Sequence, residues 1–162
     1  MKEADFLNAI REHEGILRKI TYLYADTQED RRDLQQEIIL QAWKSSGKFR
    51  GKSAFSTWLY RVGLNTALTF RKKENRVREM KADIVSEWDD QQPAPRSERA
   101  DQLLQAIKTL DDADKTIITL HLEGFKNPEI AQLVGIKAGY VAVKLHRIRE
   151  NLKEKLLQPS SN

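Results

Sequence analysis

Residues 44–78 read KSSGKFRGKSAFSTWLYRVGLNTALTFRKKENRVR, and the rest of the chain is arranged around them. The stretch holds Lys44, Lys48, Arg50, Lys52, Arg61, Arg71, Lys72, Lys73, Arg76 and Arg78 against a single acid, Glu74. Phe49, Phe55, Trp58, Tyr60 and Phe70 are threaded through that charge. Cationic side chains attract a phosphate backbone by releasing its counterions, and aromatic rings give unstacked bases a surface to lie on. Together they suggest a surface for opened, single-stranded nucleic acid. The same residues admit a plainer reading, a solvated basic helix whose aromatics are core. The flanking sequence decides between the two.

Within the stretch, Ser45–Lys52, with Gly47 and Gly51, reads as a loop, and Ser53 can cap a long helix continuing to about Glu79. Helical spacing predicts a core stripe of Phe55, Leu59, Val62 and Thr66. Beside it Trp58, Arg61, Asn65, Leu68 and Lys72 form a row carrying an indole, a guanidinium, an amide and an ammonium. Upstream, Phe6, Ile10, Leu17 and Ile20 predict one helix over 5–23, weakened in its middle by Gly15. Asp26-Thr27 offers a break and an N-cap for a second helix, about Gln28 to Lys44. Leu34, Ile38 and Ala42 suit the core side of that helix. Asp33, Gln36, Glu37 and Leu40 fall on another side, either a solvated face or a docking surface for a protein.

Downstream, residues 80–96 (MKADIVSEWDDQQPAPR) break the helical pattern and read as a flexible acidic linker. Ile84, Val85 and Trp88 are unusual in a free linker and suit docking on a domain or a partner. A second helical unit opens near Ser97, with Leu103, Leu104, Ile107 and Leu110 as its first apolar face. Asp111 and Asp114 resemble a capping box for a helix carrying Ile117, Ile118, Leu120 and Leu122 and ending at Gly124. Asn127 then reads as an N-cap with Pro128 at the first helical position, and the short helix stops at Gly135. A last helix, about Ala138 to Leu157, would bury Val141, Leu145, Ile148 and Leu152. Residues 127–149 thus have helix-turn-helix grammar, with Ala131 small at the crossing and Gly135 in the turn. Tyr140, Val143 and Lys144 would read base edges, while Arg147, Lys137 and Arg149 would hold phosphates. An ordinary helical hairpin with a basic surface is the plainer alternative.

The bulk composition narrows the field further. With 162 residues, 40% hydrophobic and only 7 Gly and 4 Pro, the chain suits an all-α protein of two small domains. Net charge is only +4 but segregated: acidic before residue 44, basic after it, acidic over 81–100, basic at the end. No cysteine provides a disulfide or thiolate site, and no run approaches a signal core or membrane span, so a cytoplasmic protein without membrane insertion is expected. His13, His121 and His146 are scattered, and no phosphate loop or nucleophile motif occurs. No catalytic residue, metal site or cofactor is expected, and His121 reads as a satisfied helix-surface residue.

In this order the features resemble an extracytoplasmic-function (group 4) sigma factor of bacterial RNA polymerase. Three segments carry the resemblance: DRRDLQQEIILQAW (30–43), close to the region-two pattern D-L-x-Q-E-x-F; FRGKSAFSTWLYRVGLNTALTFRKK (49–73); and EIAQLVGIKAGYVAVKLHRIRENL (129–152) of region four. It implies two helical domains, 1–79 (region two) and 97–158 (region four), around the linker 80–96. It implies that Asp33, Leu34, Gln36, Glu37 and Leu40 dock on core RNA polymerase. The loop containing Lys48, Phe49, Arg50 and Lys52 would capture a flipped minus-ten base. Trp58, Arg61 and Asn65 would hold the melted non-template strand of promoter DNA, with Arg71, Lys72 and Lys73 on duplex phosphates. The region-four helix would read the minus-thirty-five element, and an anti-sigma factor would be a partner. Three positions depart from the pattern: Lys52 after F-R-G, Gly63-Leu64 where Ala-Arg or a similar pair is common, and Tyr140 in a frequent threonine position. The glycine would loosen its helix. A conventional helix-turn-helix repressor or activator, binding duplex alone, is the competing function; it leaves 44–78 without a task.

Overall fold

The computed structural model describes residues 1–80 and 97–158, and all its regular elements there are helical. The chain divides into two compact units, 1–94 and 95–162. The linker reading of 80–96, with Ile84, Val85 and Trp88, lies outside the described residues apart from Met80.

The first unit contains α1 (Glu3–Glu12), α2 (Glu14–Tyr24), α3 (Gln28–Ser45) and α4 (Phe55–Met80). Helices α2, α3 and α4 pack on one another. Phe6, Leu17, Ile20, Leu34, Ile38 and Leu59 are fully buried between the helices. Each such side chain contributes about 1.5–3 kcal/mol by leaving water. The expected single helix over 5–23 is two. His13 breaks it with φ −112° and ψ 22°, and its Nδ1 lies 2.8 Å from the Ala9 carbonyl oxygen. The break comes two residues before Gly15; the His13 N–H still reaches the Ala9 carbonyl at 3.2 Å, and the imidazole adds a second donor to that oxygen. Thr27 caps α3 as expected, its hydroxyl accepting from the Asp30 N–H at 3.0 Å.

Helix α3 runs to Ser45 and tightens into a 3₁₀ turn at Ser46–Lys48, so half of the expected loop is helical. Gly51, with φ 70°, turns the chain toward α4. That helix begins at Phe55, its first turn closed by the Trp58 N–H on the Ala54 carbonyl at 3.1 Å, so Ser53 lies one residue before the cap position. The buried stripe of α4 is Leu59, Tyr60, Gly63, Leu64 and Ala67, rotated from the expected Phe55, Leu59, Val62 and Thr66. Gly63 causes the rotation. A Cβ there would lie 2.6 Å from Ile20 Cδ1 and 3.7 Å from Ile38 Cγ2, so the missing side chain is what lets α4 approach α2 and α3. Gly63 therefore tightens the crossing, contrary to the loosening expected of it.

The second unit contains α5 (Glu98–Lys108), α6 (Asp112–Leu122), α7 (Asn127–Val134) and α8 (Ala138–Leu157). Ser97 caps α5, and Asp111 caps α6 by accepting the Asp114 N–H at 2.8 Å. Ile117, Leu120, Ile130, Val141, Leu145, Ile148 and Leu152 form its core. Leu122 is exposed at the end of α6. Beyond it Gly124 (φ 87°) reverses the chain so that the Phe125 N–H returns to the Leu120 carbonyl at 3.0 Å and the Phe125 ring is buried. The cap position of α7 is Lys126, making Asn127 the first helical residue and Pro128 the second. Gly135, with φ 80° and ψ 35°, ends α7 in the left-handed conformation expected of the turn glycine.

Candidate nucleic-acid interface

Three surfaces take shape on this scaffold, two on the first unit and one on the second. On α3, Asp33, Gln36 and Leu40 are exposed and Glu37 is half-buried, held by the Gln41 amide at 2.8 Å. These four line a groove of about 680 Å³ whose other wall is α4, through Asn65, Thr66, Thr69, Phe70 and Lys73. Across the Gln36–Leu40 ridge is a second hollow of about 400 Å³, lined by Glu3, Phe6, Leu7, Ile39 and Trp43. Leu40 is 44% and Trp43 40% exposed, so an apolar ridge stands between two hollows and is rimmed by carboxylates. Such a surface suits a protein helix with apolar and cationic side chains. Leu34, expected in this set, is fully buried in the bundle and does not face the groove.

The second surface lies at the start of α4. Lys48, Arg50 and Lys52 are exposed on the turn preceding it, and Phe49 reaches back onto the helix. Ring centroids of Phe49 and Trp58 are 5.2 Å apart, of Phe55 and Trp58 5.4 Å, and of Phe49 and Phe55 5.8 Å. All three rings are half-buried, so the aromatics are neither core nor fully solvated. Tyr60 is core, and Phe70 lines the α3–α4 groove instead. Arg61 is half-buried beyond Trp58, and Lys72 is exposed further along α4. Asn65 and Lys73, expected with the strand-binding residues, share the α3–α4 groove with Asp33 and Glu37. Arg71 is a further correction. It forms ion pairs with Asp26 at 3.1 Å and Glu74 at 3.5 Å and is mostly buried, tying α4 to the start of α3 rather than facing phosphate.

On the second unit α8 presents Gly139, Tyr140, Ala142, Val143, His146 and Arg147 to solvent. Tyr140 and Val143 are 42% and 43% exposed, and Arg147 Nη1 donates to the Tyr140 hydroxyl at 3.4 Å. Lys144 departs from expectation: its ammonium turns back to Asp114 at 3.4 Å, bracing α8 against α6. Arg149 Nη2 lies 2.7 Å from His121 Nε2, which satisfies His121 as expected and holds the guanidinium near α6. Lys137 is exposed at the N-cap of α8. His146 lies exposed on the same face, one helical step of three beyond Val143. Among the described residues no group of three or more His, Asp or Glu is placed to hold a metal. None of their helices is long and apolar enough to cross a membrane.

A helical bundle with an acidic-apolar ridge and a basic-aromatic edge, followed by a helix-turn-helix, defines an all-α nucleic-acid-binding class of protein. Comparison with known proteins narrows it. Residues 9–77 match the Sigma-70 region 2 family and residues 100–152 match Sigma-70, region 4. The chain is 32% identical over 139 residues to the ECF RNA polymerase sigma-E factor of Haemophilus influenzae, covering 76% of this chain and 73% of that protein. It is 31% identical over 173 residues to the RNA polymerase sigma-H factor of Pseudomonas aeruginosa, covering 98% and 88%. The fold is shared with the sigma factor RpoE in complex with the anti-sigma factor NepR from Bartonella quintana, at TM-score 0.69 and 20% identity over 95% of each chain. CnrH in complex with the cytosolic domain of CnrY also shares it, at TM-score 0.61 and 20% identity over 96% of this chain and 89% of that one. The chain belongs to the sigma-70 family, as an ECF-type alternative sigma factor that directs transcription initiation. Nothing in its relatives favours a duplex-only repressor.

Proposed function

We propose that the protein brings core RNA polymerase to promoters through two DNA elements and stabilises the melted one, without bond chemistry of its own, in the cytoplasm. The observation that carries this reading is the first unit's pair of unlike surfaces. An acidic-apolar ridge, Asp33, Gln36, Glu37 and Leu40, suits a protein partner, and a basic-aromatic edge suits an unpaired strand. We take 1–79 and 97–158 as the working modules. Lys48, Arg50 and Lys52 attract the backbone, while Phe49, Phe55 and Trp58 offer rings for splayed bases. Arg61 and Asn65 supply further donors along the helix, and Lys72 and Lys73 reach duplex phosphate beyond it.

In the second module, α8 enters the major groove with Tyr140 and Val143 toward base edges and Arg147, Lys137 and Arg149 toward the backbone. Lys144 acts through its pair with Asp114, which fixes the angle of α8. The similar structures of RpoE and CnrH hold an anti-sigma factor and the cytosolic domain of CnrY. We extend a partner of anti-sigma type to this chain.

Transcription in vitro by core polymerase on genomic promoter fragments tests the reading. Discrete start sites that need the added protein support it. Absence of initiation together with failure to co-purify with core polymerase would refute it.

A further inference from the structure

We propose that His13 is a strand-contacting residue of the minus-ten surface, its imidazole Nε2 accepting a hydrogen bond from the amino group of an unpaired base. The inference rests on the strand-binding role proposed above for Phe49, Phe55 and Trp58.

The break between α1 and α2 places His13 at the end of the aromatic cluster. Its ring centroid lies 5.2 Å from that of Phe55 at an interplanar angle of 50°, so it adds a fourth ring to the mutually packed Phe49, Phe55 and Trp58. The ring is held at one nitrogen. Nδ1 is 2.8 Å from the Ala9 carbonyl oxygen, and because a carbonyl only accepts, Nδ1 carries the hydrogen. In the neutral ring Nε2 is then an acceptor. Among the described residues Nε2 has no hydrogen-bond partner and is not among the buried unsatisfied atoms, so it reaches water.

Of the imidazole, the Ala9 carbonyl engages only Nδ1. The second nitrogen, at the edge of a stacking surface, remains for a ligand. Adenine, cytosine and guanine each carry an exocyclic amine that such an acceptor can take once the base is out of its pair.

Two substitutions separate the nitrogens. His13→Asn keeps an amide donor near the Ala9 carbonyl and removes Nε2; His13→Gln places an amide near the Nε2 position. Holoenzyme is titrated with labelled single-stranded oligonucleotides of the non-template minus-ten region, taken from a promoter mapped with this protein. The set includes a scan of abasic sites and one of methylphosphonates. The expected result is a roughly tenfold loss for His13→Asn, the scale of one hydrogen bond, largely restored in His13→Gln. That loss should vanish when one particular nucleotide is abasic.

Equal binding by His13→Asn and wild type across the set overturns the proposal. An equal loss on every oligonucleotide assigns His13 to structure alone and overturns it too. A loss abolished by a methylphosphonate but indifferent to the base places Nε2 on the backbone, against the proposal. If Trp58→Ala weakens binding while His13→Asn does not, the strand-binding reading stands and only this inference fails. If neither variant matters, both fail.

Discussion

Gly63 shows how much one missing methyl group decides. Its would-be Cβ position is occupied by Ile20, a fully buried residue with nowhere to retreat. Gly63→Val should destabilise the first unit by about 1–3 kcal/mol through overpacking. Thermal melting of the unit should fall by about 4–8 °C for each kcal/mol. Leu40 presents the opposite case, a large apolar side chain at 44% exposure with no core to support. Leu40→Asp should leave the melting temperature unchanged and weaken core polymerase binding at least tenfold in a pull-down or anisotropy titration. Lys144 and Arg147 of α8 also part company. Arg147→Ala should reduce the slope of log affinity against log salt on minus-thirty-five duplex by about one. Lys144→Met should change that slope far less, and its stability cost should be about 0–1 kcal/mol, as for other partly exposed pairs.

At the scale of elements, helices in the second unit were legible because their signals are local. Ser97 and Asp111 announce helix starts by side-chain chemistry, and Gly135 announces an end by backbone freedom. Val141, Leu145, Ile148 and Leu152 repeat at the helical period and are all buried. Asp111→Ala should therefore cost about 1 kcal/mol in chemical denaturation of this unit, with α6 fraying first. What escaped the sequence was tertiary. The α4 stripe was rotated because Gly63, read as a weak point, is where the helices meet. Helix α1 ends at His13, where the backbone leaves helical geometry and the imidazole adds a second donor to the Ala9 carbonyl, a local feature that periodicity cannot register. Arg71, expected on phosphate, and Lys144, expected on base edges, are instead paired with Asp26 and Asp114, which the fold brings to them from distant positions. Charge is visible in a string of letters and its partner is not, so the basic and acidic faces were legible while the ion pairs of Arg71 and Lys144 were not.

For the whole molecule, the two units possess separate cores, one centred on Leu17, Ile20, Leu34 and Leu59, the other on Ile117, Ile130 and Val141. Fragments 1–80 and 97–158 should each give helical circular dichroism and a cooperative melt. A featureless melt for either would show that it depends on the other.

Separate cores also make the protein a bivalent ligand. Neither DNA surface needs high affinity by itself, because engaging one raises the local concentration of the other. Avidity of this kind has a length dependence that ordinary affinity lacks. Inserting Gly-Ser residues between positions 81 and 96 should leave the binding of each isolated fragment untouched. In the intact chain it should erode promoter occupancy gradually, about threefold for each doubling of the connection once that already exceeds the span it must cover. Spacing between promoter elements would then be a dial that evolution can turn without touching a single contact residue.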